Sequence, residues 1–138
     1  MVPKLILGDS HQDDRGTLKF NNDFDATLVK RVYSIENADT VLVRGWQGHR
    51  VEQRWFTAVL GKFKIELIKV DDWENPTKEL NKTIFELSDE NADILYVPKG
   101  YISSLQAMTE ASKLLAMSDY KLNEIQDEYK FSSDYFKD

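Results

Sequence analysis

The chain has 138 residues, of which 41% are apolar and 30% charged, a balance that suits one globular domain with one core. Its net charge is -6 and its isoelectric point is about 5.0, so it lacks the basic excess of a nucleic-acid surface. Cysteine is absent, which excludes disulfides, thiolate metal ligands and a cysteine nucleophile.

In chain order, the opening "MVPKLILGDSHQDDRG" carries a three-residue apolar run, Leu5-Ile6-Leu7, too short for the hydrophobic region of a signal peptide. No stretch approaches the roughly 20 apolar residues that cross a bilayer, so a cytoplasmic chain without a membrane partner is expected. The segment "GDSHQDD" reads as solvated, with no role for His11. Then come short runs rich in Val, Ile, Phe, Tyr and Thr, each a strand candidate: "TLVKRVYSI", "TVLVRGW", "RWFTAVLG", "FKIELIKV", "TIFEL", "ILYVP" and "KLLAMS". The clearest is "FKIELIKV", where Phe63, Ile65 and Leu67 alternate with Lys62, Lys64 and Glu66, the period of a half-buried strand. Turn signals punctuate the runs, among them Asn21-Asn22-Asp23, Leu60-Gly61-Lys62, Asn75-Pro76 and Pro98-Lys99-Gly100. Many short strands at turn spacing predict an all-β sandwich or barrel. The tail "SDYKLNEIQDEYKFSSDYFKD" is expected to form one or two short helices, as a solvated closing segment or the cover of a dimer edge. With no linker, repeat or low-complexity stretch, residues 1–138 read as a single domain.

The polar run "RGWQGHRVEQRW", Arg44 to Trp55, interrupts this pattern with one of the chain's two histidines. A histidine titrates near neutrality and can take and return a proton. Gln47 and His49 are two apart and would face the same side of a strand. Guanidinium forks suit phosphate oxygens, and an acidic protein that holds an anion needs a local arginine cluster. Arg50 and Glu52 read as surface charges. Trp73, beside Asn75-Pro76, reads as a packing residue.

Several separated pieces together resemble the cupin sugar-nucleotide enzymes, the superfamily of dTDP-4-dehydrorhamnose 3,5-epimerase and the dTDP-4-keto-6-deoxyhexose 3,4-ketoisomerases. "DDRGTL" looks like their D-x-R-G opening, and "KRVYSI" is close to a ketoisomerase strand. "RGWQGH" matches R-G-x-H-x-[HQ], "VDDWENPT" looks like the epimerase turn, and "VPKGY" stands where the family has I-P-x-G-[FY]. The resemblance spans about Asp13 to Tyr129. It implies a cupin double-stranded β-helix, or jelly roll, here with the short C-terminal helical tail, and a homodimer.

The family pattern also assigns roles. The metal-binding cupin motif G-x5-H-x-H-x(3,4)-E-x6-G falls on Gln47, His49 and Arg54, and the histidine of the second motif falls on Ser103. One ligand of four remains, and a fixed cation stands in the carboxylate's place, so neither a metal nor a cofactor is expected. The epimerase base falls on Gln47, which has no useful proton affinity, and its tyrosine acid falls on Leu115. The ketoisomerase histidine falls on His49. The implied function is a metal-independent isomerase acting on a nucleoside-diphosphate 4-keto-6-deoxyhexose. His49 would be the acid-base group and Gln47 would orient the sugar. Arg15, Arg44 and Arg54 would hold the diphosphate or polarise the carbonyl. Tyr33, Trp46 and Trp55 are candidates for stacking on a base or lining the sugar. The alternatives are a non-catalytic binding module of the same fold, or a cupin for another small anion.

Overall fold

The computed structural model describes residues 1–136. Lys137 and Asp138, which end the expected domain and tail, lie outside the described residues. The expected all-β architecture is present, as two five-stranded antiparallel sheets and a separate hairpin. The first sheet runs in the order β1 (Lys4–Ile6), β9 (Ile94–Val97), β6 (Arg54–Leu60), β11 (Lys113–Ser118), β4 (Arg31–Ile35). The second runs β12 (Glu128–Lys130), β5 (Val43–His49), β10 (Tyr101–Ala107), β7 (Lys62–Lys69), β8 (Lys82–Ser88). The hairpin pairs β2 (Asp9–Asp13) with β3 (Gly16–Phe20).

Strand alternation decides what each sheet sends inward. Phe63, Ile65 and Leu67 of β7 are fully buried and meet Phe56 and Ala58 of β6, Leu114 and Ala116 of β11, and Leu105 of β10 between the sheets. Each such aliphatic or aromatic side chain contributes about 1.5–3 kcal/mol by leaving water. A second cluster lies on the outer face of the second sheet, where Trp46, Ile68, Val70, Ile102 and Phe136 pack together. A third holds Trp55, Ile94, Tyr96 and Met117 on the outer face of the first sheet.

Two glycines set local geometry. Gly61, at φ 70°, closes the tight turn between β6 and β7. Gly48 lets β5 approach β10 so closely that a Cβ there would fall 2.3 Å from the Tyr101 carbonyl oxygen. That approach seats the neighbouring Gln47 and His49 against β10.

The tail departs from expectation. Among the described residues it forms turns and β12 rather than helix. Glu128, Tyr129 and Lys130 pair with His49, Gly48 and Gln47, adding an edge strand to β5. The segment lacks an apolar stripe of period 3.6, and its backbone amides are better satisfied along an open sheet edge. No helix of the described residues is long and apolar enough to cross a membrane.

Candidate functional site

The interior of the sandwich divides into two halves. One end is the apolar core. The other opens into a cavity of about 920 Å³ whose walls come from β4, β5, β6, β10 and the tail. Inward positions on successive strands supply its chemistry: Arg31 and Tyr33 from β4, Gln47 and His49 from β5, Arg54 from β6, Tyr101 and Ser103 from β10.

His49 lines this cavity and is buried. Its Nδ1 lies 2.9 Å from the backbone carbonyl oxygen of Asp127. Its Nε2 lies in hydrogen-bond contact with a terminal guanidinium nitrogen of Arg54. A carbonyl only accepts and a guanidinium only donates, so together they put the proton on Nδ1 and the lone pair on Nε2. Burial lowers the pKa of His49 below the ordinary imidazole value, and the Arg54 charge acts in the same direction. Glu52 and Asp127 oppose that shift without reversing it. The ring is therefore neutral at pH 7, with one basic nitrogen.

Arg54 is buried and paired. It donates to Glu52 Oε2 at 2.8 Å and to the Tyr33 hydroxyl. The same carboxylate accepts from Ser118 Oγ at 3.2 Å and lies 3.5 Å from His49 Nδ1. A buried charge needs such partners, and Arg54 and Glu52 neutralise each other. Glu52 is thus an internal residue, a correction to its reading as a surface charge. The loop after β5 turns it back under the sheet, and spacing alone does not reveal that turn.

Asp127 holds the loop. Its carboxylate accepts from the backbone amides of Arg50 at 2.9 Å, Val51 at 2.7 Å and Glu52 at 2.8 Å. Next to it, Glu128 accepts from the Gln47 amide and lies 3.7 Å from Lys130 Nζ.

The structure brings together five of the six residues predicted for the site: Tyr33, Arg44, Gln47, His49 and Arg54 all line the cavity. Arg15 does not. It sits at the β2–β3 turn with its guanidinium 2.9 Å from Asp13 Oδ2, and its side chain is 87% exposed. Trp46 and Trp55 face away from the cavity. Trp46 packs edge-on against Phe136 at 5.4 Å, and Trp55 packs on Tyr96 at 5.7 Å with the rings tilted by 39°. Each is one residue out of phase with the inward positions of its strand. Leu115 is likewise out of phase with the inward Leu114 and Ala116. Trp73 packs on Tyr129 at 4.7 Å, as a packing residue should.

Sequence reasoning missed Arg31, Tyr101, Glu52, Asp127 and Glu128. Arg31 lay inside the quoted "KRVYSI", two residues from Tyr33 and therefore on its face. That signal was sufficient to find it. Its guanidinium lies 4.5 Å from the Tyr33 ring centroid. Arg44 donates to Asn37 Oδ1 at 3.3 Å. Among the described residues neither arginine has a carboxylate at ion-pair distance, so both are available to an anion.

The sequence profile of the family described as FdtA, "WxcM-like, C-terminal", matches residues 2–138. The chain belongs to that family. Among solved structures, a histidine-to-asparagine mutant of the 3,4-ketoisomerase QdtA from Thermoanaerobacterium thermosaccharolyticum, in complex with TDP-4-keto-6-deoxyglucose, is 26% identical with a TM-score of 0.71. The match covers 97% of this chain and 91% of that one. The RmlC epimerase of Mycobacterium tuberculosis is 18% identical with a TM-score of 0.73, over 99% of this chain and 73% of that one. The WlaRB TDP-quinovose 3,4-ketoisomerase of Campylobacter jejuni is 18% identical with a TM-score of 0.70, over 99% and 98%. No curated protein matches the chain. The family and the shared fold make this chain an RmlC-like cupin jelly roll, as the motifs implied. Its structural relatives are sugar-nucleotide isomerases and epimerases.

Proposed function

We propose that the chain is a metal-independent isomerase of nucleoside-diphosphate 4-keto-6-deoxyhexoses that moves the ketone between C4 and C3. The observation that carries this reading is His49 itself, a neutral imidazole with its lone pair on Nε2, placed in a cavity large enough for a sugar nucleotide. The base takes the proton from C3 beside the C4 ketone, giving a 3,4-enediolate. Returning a proton to C4, with O4 protonated and O3 deprotonated, leaves the ketone at C3. Arg54, already against Nε2, is placed to hold the oxygen that gains charge as the C–H bond breaks. Gln47 offers an amide to a hydroxyl or carbonyl. Arg31 and Arg44 supply the charge that a diphosphate needs.

Metal independence is supported by the donor set. Gln47, Arg54 and Ser103 occupy three of the four cupin ligand positions, and a guanidinium lies against the one remaining imidazole. A divalent ion there would meet a fixed positive charge. Arg15 lies outside this cavity, so a substrate contact from it requires a second copy of the chain. A homodimer and a cytoplasmic setting belong to the same proposal; sedimentation at micromolar concentration tests the dimer.

One observation favours a second reading, a binding module without turnover. Arg54 occupies the lone pair that catalysis needs, and the family's first histidine is Gln47. Incubation with TDP-4-keto-6-deoxyglucose in heavy water separates the two. Isomerisation incorporates deuterium at C3 or C4, and His49→Ala abolishes it, a loss of about a hundredfold or more. TDP-induced thermal stabilisation with no exchange for any 4-keto-6-deoxy sugar would sink the enzymatic reading and leave the module.

A further inference from the structure

We infer that Asp127, in the C-terminal tail, is the positioning residue for His49: its carboxylate clamps the loop after β5 and its backbone carbonyl thereby holds the imidazole in the Nδ1–H form. This rests on the reading of His49 as the acid-base group. The carboxylate takes three consecutive backbone amides, Arg50, Val51 and Glu52, at 2.7–2.9 Å. Three amides converging on one carboxylate form an anion-binding concavity closed by a side chain 78 residues or so along the chain from His49. The carbonyl of the same residue then lies 2.9 Å from His49 Nδ1. One residue thus fixes both the loop that follows the histidine and the ring itself.

The neighbours explain why this matters for the proposed reaction. Arg54 also specifies the lone pair on Nε2 while it stays against the ring. Once it turns toward a substrate oxygen, that restraint is gone. The Asp127 carbonyl, on the far side of the ring, stays in place. The charged groups around His49 are Arg54 at Nε2, with Glu52 Oε2 at 3.5 Å and Asp127 Oδ2 at 4.0 Å from Nδ1. Both carboxylates sit on the Nδ1 side, so they too favour a proton there. Register reinforces the placement, because Glu128 pairs with His49 from the next position of the tail. Tail and catalytic strand are therefore one unit.

The test is nitrogen-15 NMR of the imidazoles in the full chain without ligand, with the exposed His11 as a reference signal, on wild type, Asp127→Asn and Asp127→Glu. In wild type His49 should carry its proton on Nδ1, with that proton protected from solvent exchange. Asp127→Asn keeps the shape but puts a donor where one of the two accepting oxygens stood, so at least one amide loses its acceptor, and it should lose the protected proton while its backbone spectrum stays dispersed. Asp127→Glu keeps the charge and should fall between the two. With TDP-4-keto-6-deoxyglucose as substrate, kcat should drop about a hundredfold in Asp127→Asn with KM changed less than about threefold. A wild-type His49 protonated on Nε2 overturns the inference, even if no variant folds. So does a folded Asp127→Asn that keeps both the protected proton and wild-type kcat. If wild type turns over no substrate, the functional reading falls, while the NMR still decides how Asp127 holds the ring.

Discussion

The hairpin of β2 and β3 and the C-terminal tail are both polar, acidic flanks in the sequence, yet they end in opposite places. In the hairpin every residue from Asp9 to Gln12 is exposed, and Asp13 spends its carboxylate on the backbone and guanidinium of Arg15, two positions away. In the tail Asp127 is buried and spends its carboxylate on three amides of a loop far off in the chain. The difference lies in what the main chain needs. A turn that satisfies itself can stay in water. A loop that ends beneath a sheet with three unpaired amides must recruit an acceptor. Polarity alone therefore does not separate a solvated flank from the wall of a site.

Removing the two carboxylates should show that asymmetry most strongly. Asp127→Ala leaves three amides without their acceptor, one of them on the buried Glu52 and two on the exposed Arg50 and Val51. A loss of about 3 kcal/mol is expected in urea denaturation, most of it from the stranded Glu52 amide. Asp13→Ala, the matching change in the hairpin, should leave the midpoint where it is, because its partner is exposed. Equal losses from the two would break the comparison. Next in size is Arg54→Met, which strands Glu52 in the interior. Breaking a buried pair costs about 3 kcal/mol, and Arg54→Met with Glu52→Gln should recover a measurable part of it.

The same contrast shows what was legible in the sequence. The clean alternation of β7 announces itself, and so do the turns at Gly61 and Gly100. β10 stays hidden although it is central in its sheet. Ser103, Ser104 and Gln106 interrupt its apolar period, and Ser103 does so because it faces the polar cavity. β12 has three residues, too few for any period, and exists because β5 offers it an edge. At the site, positions within one strand could be phased from each other, as with Gln47 and His49. Glu52 and Asp127 could not, because their burial follows from a loop closing on a distant segment.

A smaller effect sharpens the tail's side of the comparison through pH. The folded pKa of His49 lies below its ordinary value of 6.5, chiefly through burial. Between those two values the unfolded chain binds the proton and the folded chain does not, so stability rises with pH across that window. Acidification from pH 7 should therefore cost wild type more stability than His49→Asn, which lacks this ring. Carboxylates contribute equally to both, so the difference between the two proteins is the quantity to measure, by thermal unfolding at half-unit pH steps. Parallel curves would contradict a buried neutral imidazole.

The smallest expected effect falls on Arg15. Its guanidinium rests on an exposed aspartate in its own turn, so Arg15→Ala should leave the denaturation midpoint unchanged. It should also leave TDP-induced stabilisation intact. Arg44→Ala, which removes from the cavity a cation with no carboxylate at ion-pair distance among the described residues, should weaken TDP by about tenfold. The pair of variants is read in one thermal-shift titration, since bound ligand raises stability in proportion to the logarithm of its concentration over Kd. Loss of TDP stabilisation in Arg15→Ala would mean that the hairpin reaches a ligand after all. Within one chain the cavity is lined without it, so the contact would have to come from a second copy. The two polar flanks would then both be walls of a site, one for its own chain and one for its neighbour.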